Sequence, residues 1–278
     1  MFETNYYCLV AGLKEYSLDA DFKGFDLGSI REEILESLSK SDAEHVRLLY
    51  GYYDCENLIA LRANRSAYNP LGNLPKETLQ EAMQEPEAYL PKTVAKVIRA
   101  YNNPEGEEAE EVDIQQRFEK SILEAYYAAC ASSKCRFIRE WGAFDRTLRN
   151  ISAAVAARSA QREIELSTIG EGDIVDQLHR SSAADFGLRG ELSYVDAVLA
   201  AVNDEQNLVE KEHKIDMIRW NESIELTSSD YFNVNAVLAY LVRVNIVARW
   251  SLLDKERGRQ MFHRLLQELD AKEMINKQ

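Results

Sequence analysis

The run YFNVNAVLAYLVRVNIVARWSLL, from Tyr231 to Leu253, constrains the fold more than any other part of the chain. Only two of its residues carry charge, Arg243 and Arg249. Wound as a helix at about 100° per residue, it gathers Asn235, Arg243, Asn245 and Arg249 into an arc of roughly 160°. The remaining girth is apolar: Val234, Val237, Leu238, Leu241, Val244, Val247, Ala248 and Leu252. A helix apolar over more than half its circumference is covered on several sides. The sequence therefore predicts a central helix over 231–253 with other helices around it. The run is long enough to cross a bilayer. Two Arg and two Asn in mid-span would be costly there, about 2–3 kcal/mol per Arg, so burial in protein is the better reading.

Composition extends that expectation to the whole chain. With 278 residues, 46% of them hydrophobic, there is material for one large domain or two or three small ones. Twelve Gly and five Pro are few, and turn formers this scarce beside abundant Ala, Glu and Leu predict an all-α protein. Lys and Arg total 33 against 47 Asp and Glu, a net charge of −14. That balance argues against nucleic acid as the main partner, because phosphate binding needs a basic footprint, and leaves room only for a local basic patch. The start MFETNYYCLVAGL has neither a basic opening nor a long apolar run, which predicts no secretory signal and a cytoplasmic chain. Cys8, Cys55, Cys130 and Cys135 include no CxxC pair and read as small core hydrophobes in a reducing compartment.

Along the chain, YYCLVAGL fits a strand or a first helix. Ser29 is the expected N-cap of SIREEILESL, and Ser41 the start of a longer helix. In that longer helix Val46, Leu49, Tyr53, Leu58 and Leu61 share an inner face, and Gly51 marks a kink or a contact. Ser66–Pro75 is a loop rich in breakers. Short helices interrupted by Pro86 and Pro91 lead to the acidic linker NNPEGEEAEE. A single helix over Val112–Glu140 follows, striped by Ile114, Phe118, Ile122, Ala125, Ala129, Ser133 and Phe137. At 1.5 Å per residue it would run about 42 Å, long enough to bridge two sub-domains, with an interruption at Gly142. Further helix then runs through FDRTLRNISAAVAARSAQ. Turns are expected at Ile169–Gly172 and Phe186–Gly190, a helix over Asn207–Trp220, and a loop over Asn221–Asp230 ending in a cap at Asp230. The closing KERGRQMFHRLLQEL is amphipathic through Met261, Leu265 and Leu266. These boundaries divide the chain into a first helical bundle at 1–101, a linker at 102–111, a second bundle at 112–205 and a third at 206–278.

Catalytic signatures are missing. There is no GxxxxGK[ST], no GxGxxG and no GxSxG. Glu210 and His213 form one ExxH, a spacing used by carboxylate-bridged di-metal bundles, but such a site needs a second ExxH and two more inward Glu. Asp176/His179 and Asp42/His45 share the spacing with a shorter acid. Glu210 lies in the polar run NLVEKEHK, so a solvated helix face is the ordinary reading and a helical di-metal enzyme the distant one. Ion pairs elsewhere, and adjacent acids such as Glu32 and Glu33, read as surface partners. No catalytic residue, cofactor, metal or small-molecule substrate is expected.

Three segments together resemble a known family. The first is Asp54-x-x-Asn57-Leu58-x-x-Leu61-Arg62. The second is Glu140-Trp141 with Phe144-Asp145-x-x-Leu148-Arg149-Asn150-Ile151 and Ala156-Ala157-Arg158. The third runs Val237-Leu238-Ala239-Tyr240-Leu241 and on through Arg249 to Gly258. They resemble the C (or d) subunit family of V/A-type rotary ATPases, most nearly a bacterial branch encoded with such ATPases. Asn57 to Arg65 and Asn150 to Arg158 are both eight apart, the two Asn are 93 apart, and Asn245 follows 95 later. That spacing hints at three repeats of a helical unit.

The resemblance implies a funnel of three similar helical bundles related by pseudo-threefold symmetry. It also implies a non-catalytic central-stalk (rotor) subunit, peripheral to the cytoplasmic face of the inner membrane. Its partners would be the central shaft subunits and the membrane proteolipid ring. The third segment departs from the pattern, with Val244-Asn245-Ile246-Val247 where the family carries an acidic residue and Asn-Leu-Arg. The motif residues to follow are Asp54, Asn57, Arg62, Asp145, Asn150, Arg158, Tyr240 and Arg249. Polar groups buried among apolar neighbours must find hydrogen bonds, so Asp54, Asn57, Arg62, Asn150 and Arg158 are expected to tie helix ends or loops. The alternative function is a stand-alone helical scaffold or adaptor.

Overall fold

The computed structural model describes residues 4–18, 24–103, 111–203 and 207–253. Among them are twelve α-helices, two single-turn 3-10 helices and no strand. In order the helices are α1 (Tyr7–Gly12), α2 (Leu27–Ser37), α3 (Lys40–Arg62), α4 (Leu79–Gln84), α5 (Pro86–Tyr89) and α6 (Lys92–Asn102). Then come α7 (Glu111–Ala131), α8 (Arg136–Ser159), α9 (Asp173–Arg180), α10 (Val195–Val202), α11 (Leu208–Glu225) and α12 (Val234–Leu253). The acidic stretch 104–110 and the amphipathic closing segment with Gly258, Met261, Leu265 and Leu266 lie outside the described residues.

Local chemistry sets the helix starts, and several differ from expectation. YYCLVAGL is helix, not strand. Asp26, not Ser29, caps α2. Its Oδ1 accepts from the Gly28 amide at 3.0 Å, and the Ser29 hydroxyl donates to its Oδ2 at 2.7 Å. A carboxylate outcompetes a hydroxyl for free first-turn amides. One helix later Ser39 is the cap, two residues before the expected Ser41, and accepts from the Asp42 amide at 3.1 Å. On α3 the inner face is as expected at its centre: Val46, Leu49 and Leu58 are buried, while Tyr53 and Leu61 are half-buried. Gly51 marks a contact within an unbroken helix, since a Cβ there would lie 3.8 Å from the Tyr126 ring.

The long helix expected over Val112–Glu140 is two helices. The chain breaks after Ala131 and restarts at Arg136, with the Ser133 hydroxyl accepting from the Cys135 amide at 3.2 Å. α7 therefore folds back on α8 as a hairpin rather than bridging sub-domains. Helix α8 runs straight through Gly142, where no interruption occurs. A Cβ at Gly142 would meet the Cys130 Cβ at 2.7 Å, so the missing side chain lets the hairpin close. Helix α11 also continues past Trp220 to Glu225, shortening the expected loop. At the start of α12 the capping acceptor is Asn233, whose Oδ1 takes the amides of Asn235 at 3.1 Å and Ala236 at 3.3 Å. Asp230 instead accepts from the Asn233 and Asn235 side chains and pairs with Arg136.

Packing makes α12 as central as its sequence requires. It contacts α2, α3, α8 and α11. Val237, Leu238, Leu241 and Val247 are completely buried. Its polar arc is covered too, each group met by a different neighbour. Asn235 Oδ1 accepts from the Phe137 amide and the Cys135 thiol, both at 3.3 Å. Asn245 Oδ1 accepts from the Tyr50 hydroxyl at 2.7 Å. Arg243 donates to the Ser223 hydroxyl at 3.3 Å and lies over the Trp220 ring. No described helix is long and apolar enough to cross a membrane. Helix α7 packs on α3, α6 and α8, and the buried apolar side chains form one connected cluster from Tyr6 to Ile246. Of the cysteines, Cys55, Cys130 and Cys135 are buried as expected, while Cys8 is exposed.

Candidate docking cleft

Two loops are clamped to the long helices by the same device. On α3 the Asn57 side chain imitates a peptide. Its Oδ1 accepts from the Asn69 amide at 2.6 Å and its Nδ2 donates to the Asn69 carbonyl at 2.9 Å. One turn earlier, Asp54 accepts from the Leu74 amide at 2.9 Å and from Asn73 Nδ2 at 2.6 Å. Gly72 passes directly over both side chains: a Cβ there would lie 2.7 Å from Asp54 Oδ1 and 3.0 Å from Asn57 Nδ2. On α8, Asn150 does the same for Ile169, accepting from its amide at 2.8 Å and donating to its carbonyl at 2.9 Å. Burial raises the Asp54 pKa above the ordinary carboxylate value, against the lowering pull of the Leu74 and Asn73 bonds.

The clamped loop at 65–71 forms one wall of a cleft of about 740 Å³. The other walls come from α3, α7, α8, α11 and α12. Helices α3, α8 and α12 also contact one another, so the cleft lies at their junction. Its lining is rich in tyrosine. The rings of Tyr52 and Tyr53 meet edge-on at 5.6 Å, and those of Tyr52 and Tyr126 at 5.7 Å. Burial pushes the hydroxyl pKa values of all three above the usual tyrosine value, so they are neutral donors at physiological pH.

The charges in the cleft are largely spent on one another. Arg219 donates through Nε to Asp145 Oδ1 at 3.0 Å and through Nη1 to Asp216 Oδ1 at 3.3 Å. The other Asp145 oxygen accepts from the Tyr127 hydroxyl at 2.8 Å. Asp216 Oδ2 takes Arg249 Nη1 at 2.8 Å and the Trp250 indole N–H at 2.9 Å, and Arg249 also pairs with Glu212. Burial works against the Arg219 charge, but Asp145 and Asp216 outweigh it and hold its pKa above the ordinary arginine value. Arg149 reaches Glu119 and the Tyr52 hydroxyl, each at 3.4 Å. Glu56 differs. It accepts from Asn69 Nδ2 at 3.0 Å, and among the described residues it forms no ion pair. Burial raises its pKa, opposed by hydrogen bonds from Asn69 and Tyr52 and by the charges of Arg149 and Arg219.

The family model of DUF2764, described as a protein of unknown function, matches residues 3–273. The chain belongs to the DUF2764 family. No curated protein matches it.

In this DUF2764 chain the motif residues divide by place. Asp145 and Arg249 lie in the cleft, and Asn57 lines it. Asp54 and Asn150 hold loops from behind. Arg158 ties the next loop down, donating to the carbonyls of Ala183 at 2.6 Å and Ser181 at 2.7 Å, with its guanidinium 3.8 Å above the Phe186 ring. Arg62 ties no loop. It lies over the rings of Phe118 at 4.8 Å and Tyr101 at 5.5 Å. Tyr240 donates to the Lys14 carbonyl at 2.9 Å, tying down the N-terminal segment. Glu210 and His213 do not come together as a ligand pair: Glu210 faces Lys214 at 4.0 Å, and His213 packs edge-on to Trp250. Among the described residues no group of three or more His, Cys, Asp or Glu could hold a metal ion.

Sequence reasoning missed Tyr52, Glu56, Asp216 and Arg219. A usable signal existed for two cleft positions. Glu56 and Arg149 stand 93 apart, each directly before a clamping Asn, so the register that pairs Asn57 with Asn150 also pairs them.

Proposed function

We propose that the chain is a non-catalytic rotor subunit of a V/A-type ATPase, working on the cytoplasmic side without entering the bilayer. It links the central shaft to the proteolipid ring, and its cleft takes the end of the shaft. One observation carries this reading. The first two segments that resemble the C (or d) subunit family lie on α3 and α8, and the third lies on α12 as far as Leu253, and these are the helices that meet around the cleft. The cleft chemistry agrees with a docking role. Four of its five carboxylates already pair with arginine and its tyrosine rings pack on one another, which lowers the ordering cost when a rigid partner enters.

The experiment is a pull-down of C-terminally tagged chain from gently solubilised native membranes. Co-purification of proteolipid ring and shaft subunits is the expected result. Recovery of the chain alone from the soluble fraction, or with unrelated partners, overturns the rotor reading in favour of a stand-alone helical scaffold.

A further inference from the structure

The charges lining the cleft do not cancel in place. Five carboxylates face it (Glu56, Glu119, Asp145, Glu212 and Asp216) and four guanidiniums (Arg65, Arg149, Arg219 and Arg249). Asp145, Asp216, Glu212 and Glu119 each have an arginine within ion-pair distance. That leaves Glu56 inside, and Arg65 exposed on the wall with no ion pair among the described residues. The two guanidiniums nearest to Glu56 are committed elsewhere. Arg219 is locked between Asp145 and Asp216, and Arg149 is turned to Glu119 and Tyr52. A half-buried carboxylate with no cation in ion-pair contact keeps a desolvation cost that the more distant Arg149 and Arg219 charges only partly offset, and that an incoming positive group would offset further.

The surroundings suit such a group. Tyr52 and Tyr53 lie one helical turn before Glu56 on α3 and line the same cleft, offering ring faces and edges within a few residues of the carboxylate. A cation placed between a carboxylate and tyrosine faces gains from both. The cleft is far larger than one side chain needs, so a protein segment can bring its side chain in. At long range the net charge of −14 draws in basic partners and repels acidic ones.

We propose that the cleft receives an arginine or lysine side chain of a docked protein segment, which pairs with Glu56 beside Tyr52 and Tyr53. The proposal rests on the docking reading of the cleft and supplies the chemistry that the docked segment must present. It does not depend on which assembly that segment belongs to.

The probe is N-acetyl-arginine amide, titrated into the full chain in the millimolar range. The readout is the ring resonances of selectively labelled tyrosine. Saturable shifts at Tyr52 and Tyr53 are expected, with N-acetyl-glutamate amide producing none. Glu56→Gln, which keeps the shape and the acceptor for Asn69, should weaken the response about tenfold or more, as loss of a charged hydrogen-bond partner does. Glu56→Asp, keeping the charge, should retain most of it. An equal response in Glu56→Gln, an equal response to the glutamate amide, or no saturable shift overturns the proposal. The pull-down reads the rotor assignment separately. Co-purification of ring and shaft with a failed arginine probe overturns the cationic guest alone, and probe binding without the rotor partners overturns the rotor reading alone.

Discussion

Helices α3 and α8 solve the same problem with one shared residue and different support. Each carries an Asn that binds both the amide and the carbonyl of one residue in the loop that follows, and the two Asn are 93 apart. Around Asn57 the reinforcement is local and redundant: Asp54 from the same helix takes the Leu74 amide, and Arg31 donates to the carbonyls of Leu71 at 3.2 Å and Gly72 at 3.3 Å. Around Asn150 it comes from next door: on α7, Glu124 accepts from the Gly170 amide at 3.1 Å, Lys120 donates to the Glu165 carbonyl at 3.2 Å and Gln116 to the Leu166 carbonyl at 3.4 Å, and on α9 the His179 ring bonds the Thr168 hydroxyl at 2.8 Å. Among the described residues the third Asn of the series, Asn245, binds no loop and accepts from the Tyr50 hydroxyl. A clamp needs a loop that returns over its own helix, and on α12 that side is occupied by α3. The difference teaches that the Asn fixes where a loop attaches, whereas its neighbours decide how much is lost if it goes.

The largest expected effect breaks the likeness on α8. Asn150→Ala leaves a buried amide and carbonyl of Ile169 unpaired, at a cost of about 3 kcal/mol. Asn57→Ala removes the same two bonds but leaves Asp54 and Arg31 in place, so about 2 kcal/mol is expected. For a chain of this size each kcal/mol lowers Tm by roughly 2–4 °C. Hydrogen exchange should show wider loss of protection at 164–172 in the first variant than at 69–74 in the second. Equal exchange in both loops would remove the distinction between a clamp reinforced from its own helix and one reinforced from its neighbours, and an unchanged Tm for Asn57→Ala would end its structural role.

Gly72→Ala attacks the α3 clamp from the loop side. The new methyl meets Asp54 Oδ1 and Asn57 Nδ2, neither of which can retreat without breaking its bonds. Overpacking of this kind costs about 1–3 kcal/mol. The α8 loop has no matching approach of glycine to Asn150. Gly170 instead has φ +76° and would bring its Cβ to 2.9 Å from Arg146 Nη1, the end of a flexible side chain. Gly170→Ala should therefore lose stability mainly through backbone strain, about 1 kcal/mol, without loosening Asn150. Thermal denaturation of the two variants with and without the matching Asn→Ala change gives the test. Coupling is expected for Gly72 with Asn57 and near-additivity for Gly170 with Asn150.

How much of this was legible in the sequence follows from the range of each interaction. The all-α class, the central helix and the inner face of α3 were readable because they rest on composition and on periodicity within one element. Asn57 and Asn150 were readable as loop ties because a polar residue on an apolar face must bond something. The break at Ser132–Cys135 was not, because it contains no Gly or Pro and the apolar stripe of α7 runs through it into Phe137. What ends α7 is the packing gained by folding back on α8, a tertiary effect that overrides local propensity. The Glu56 environment was hidden for a similar reason. In the string DCENLIALR it reads as one more solvated acid. The groups that enclose it, Tyr126, Arg149 and Arg219, come from three other helices.

The smallest effect is the one that separates the two helices by sign. Glu56 and Arg149 occupy the same register, yet one is an unpaired acid and the other a paired base. Arg149→Gln should lower stability modestly at every accessible pH, by about 1 kcal/mol or less, and Tm with it, since its contacts are partly exposed and long. Glu56→Gln should raise Tm at neutral pH. The folded chain holds the Glu56 proton more tightly than the unfolded chain, because burial disfavours the carboxylate. The adverse contribution therefore vanishes below the ordinary glutamate pKa of about 4.3 and grows as pH rises through the higher folded value. Comparing melts at neutral pH and in the mildly acidic range, the advantage of the Gln variant should shrink as pH falls. A residue that costs stability in the free chain and is needed only when a cation arrives fits a binding group better than a structural one. A Glu56→Gln Tm at or below that of the parent at neutral pH would mean that Glu56 is already compensated, and the case for a cationic guest would lose its physical basis.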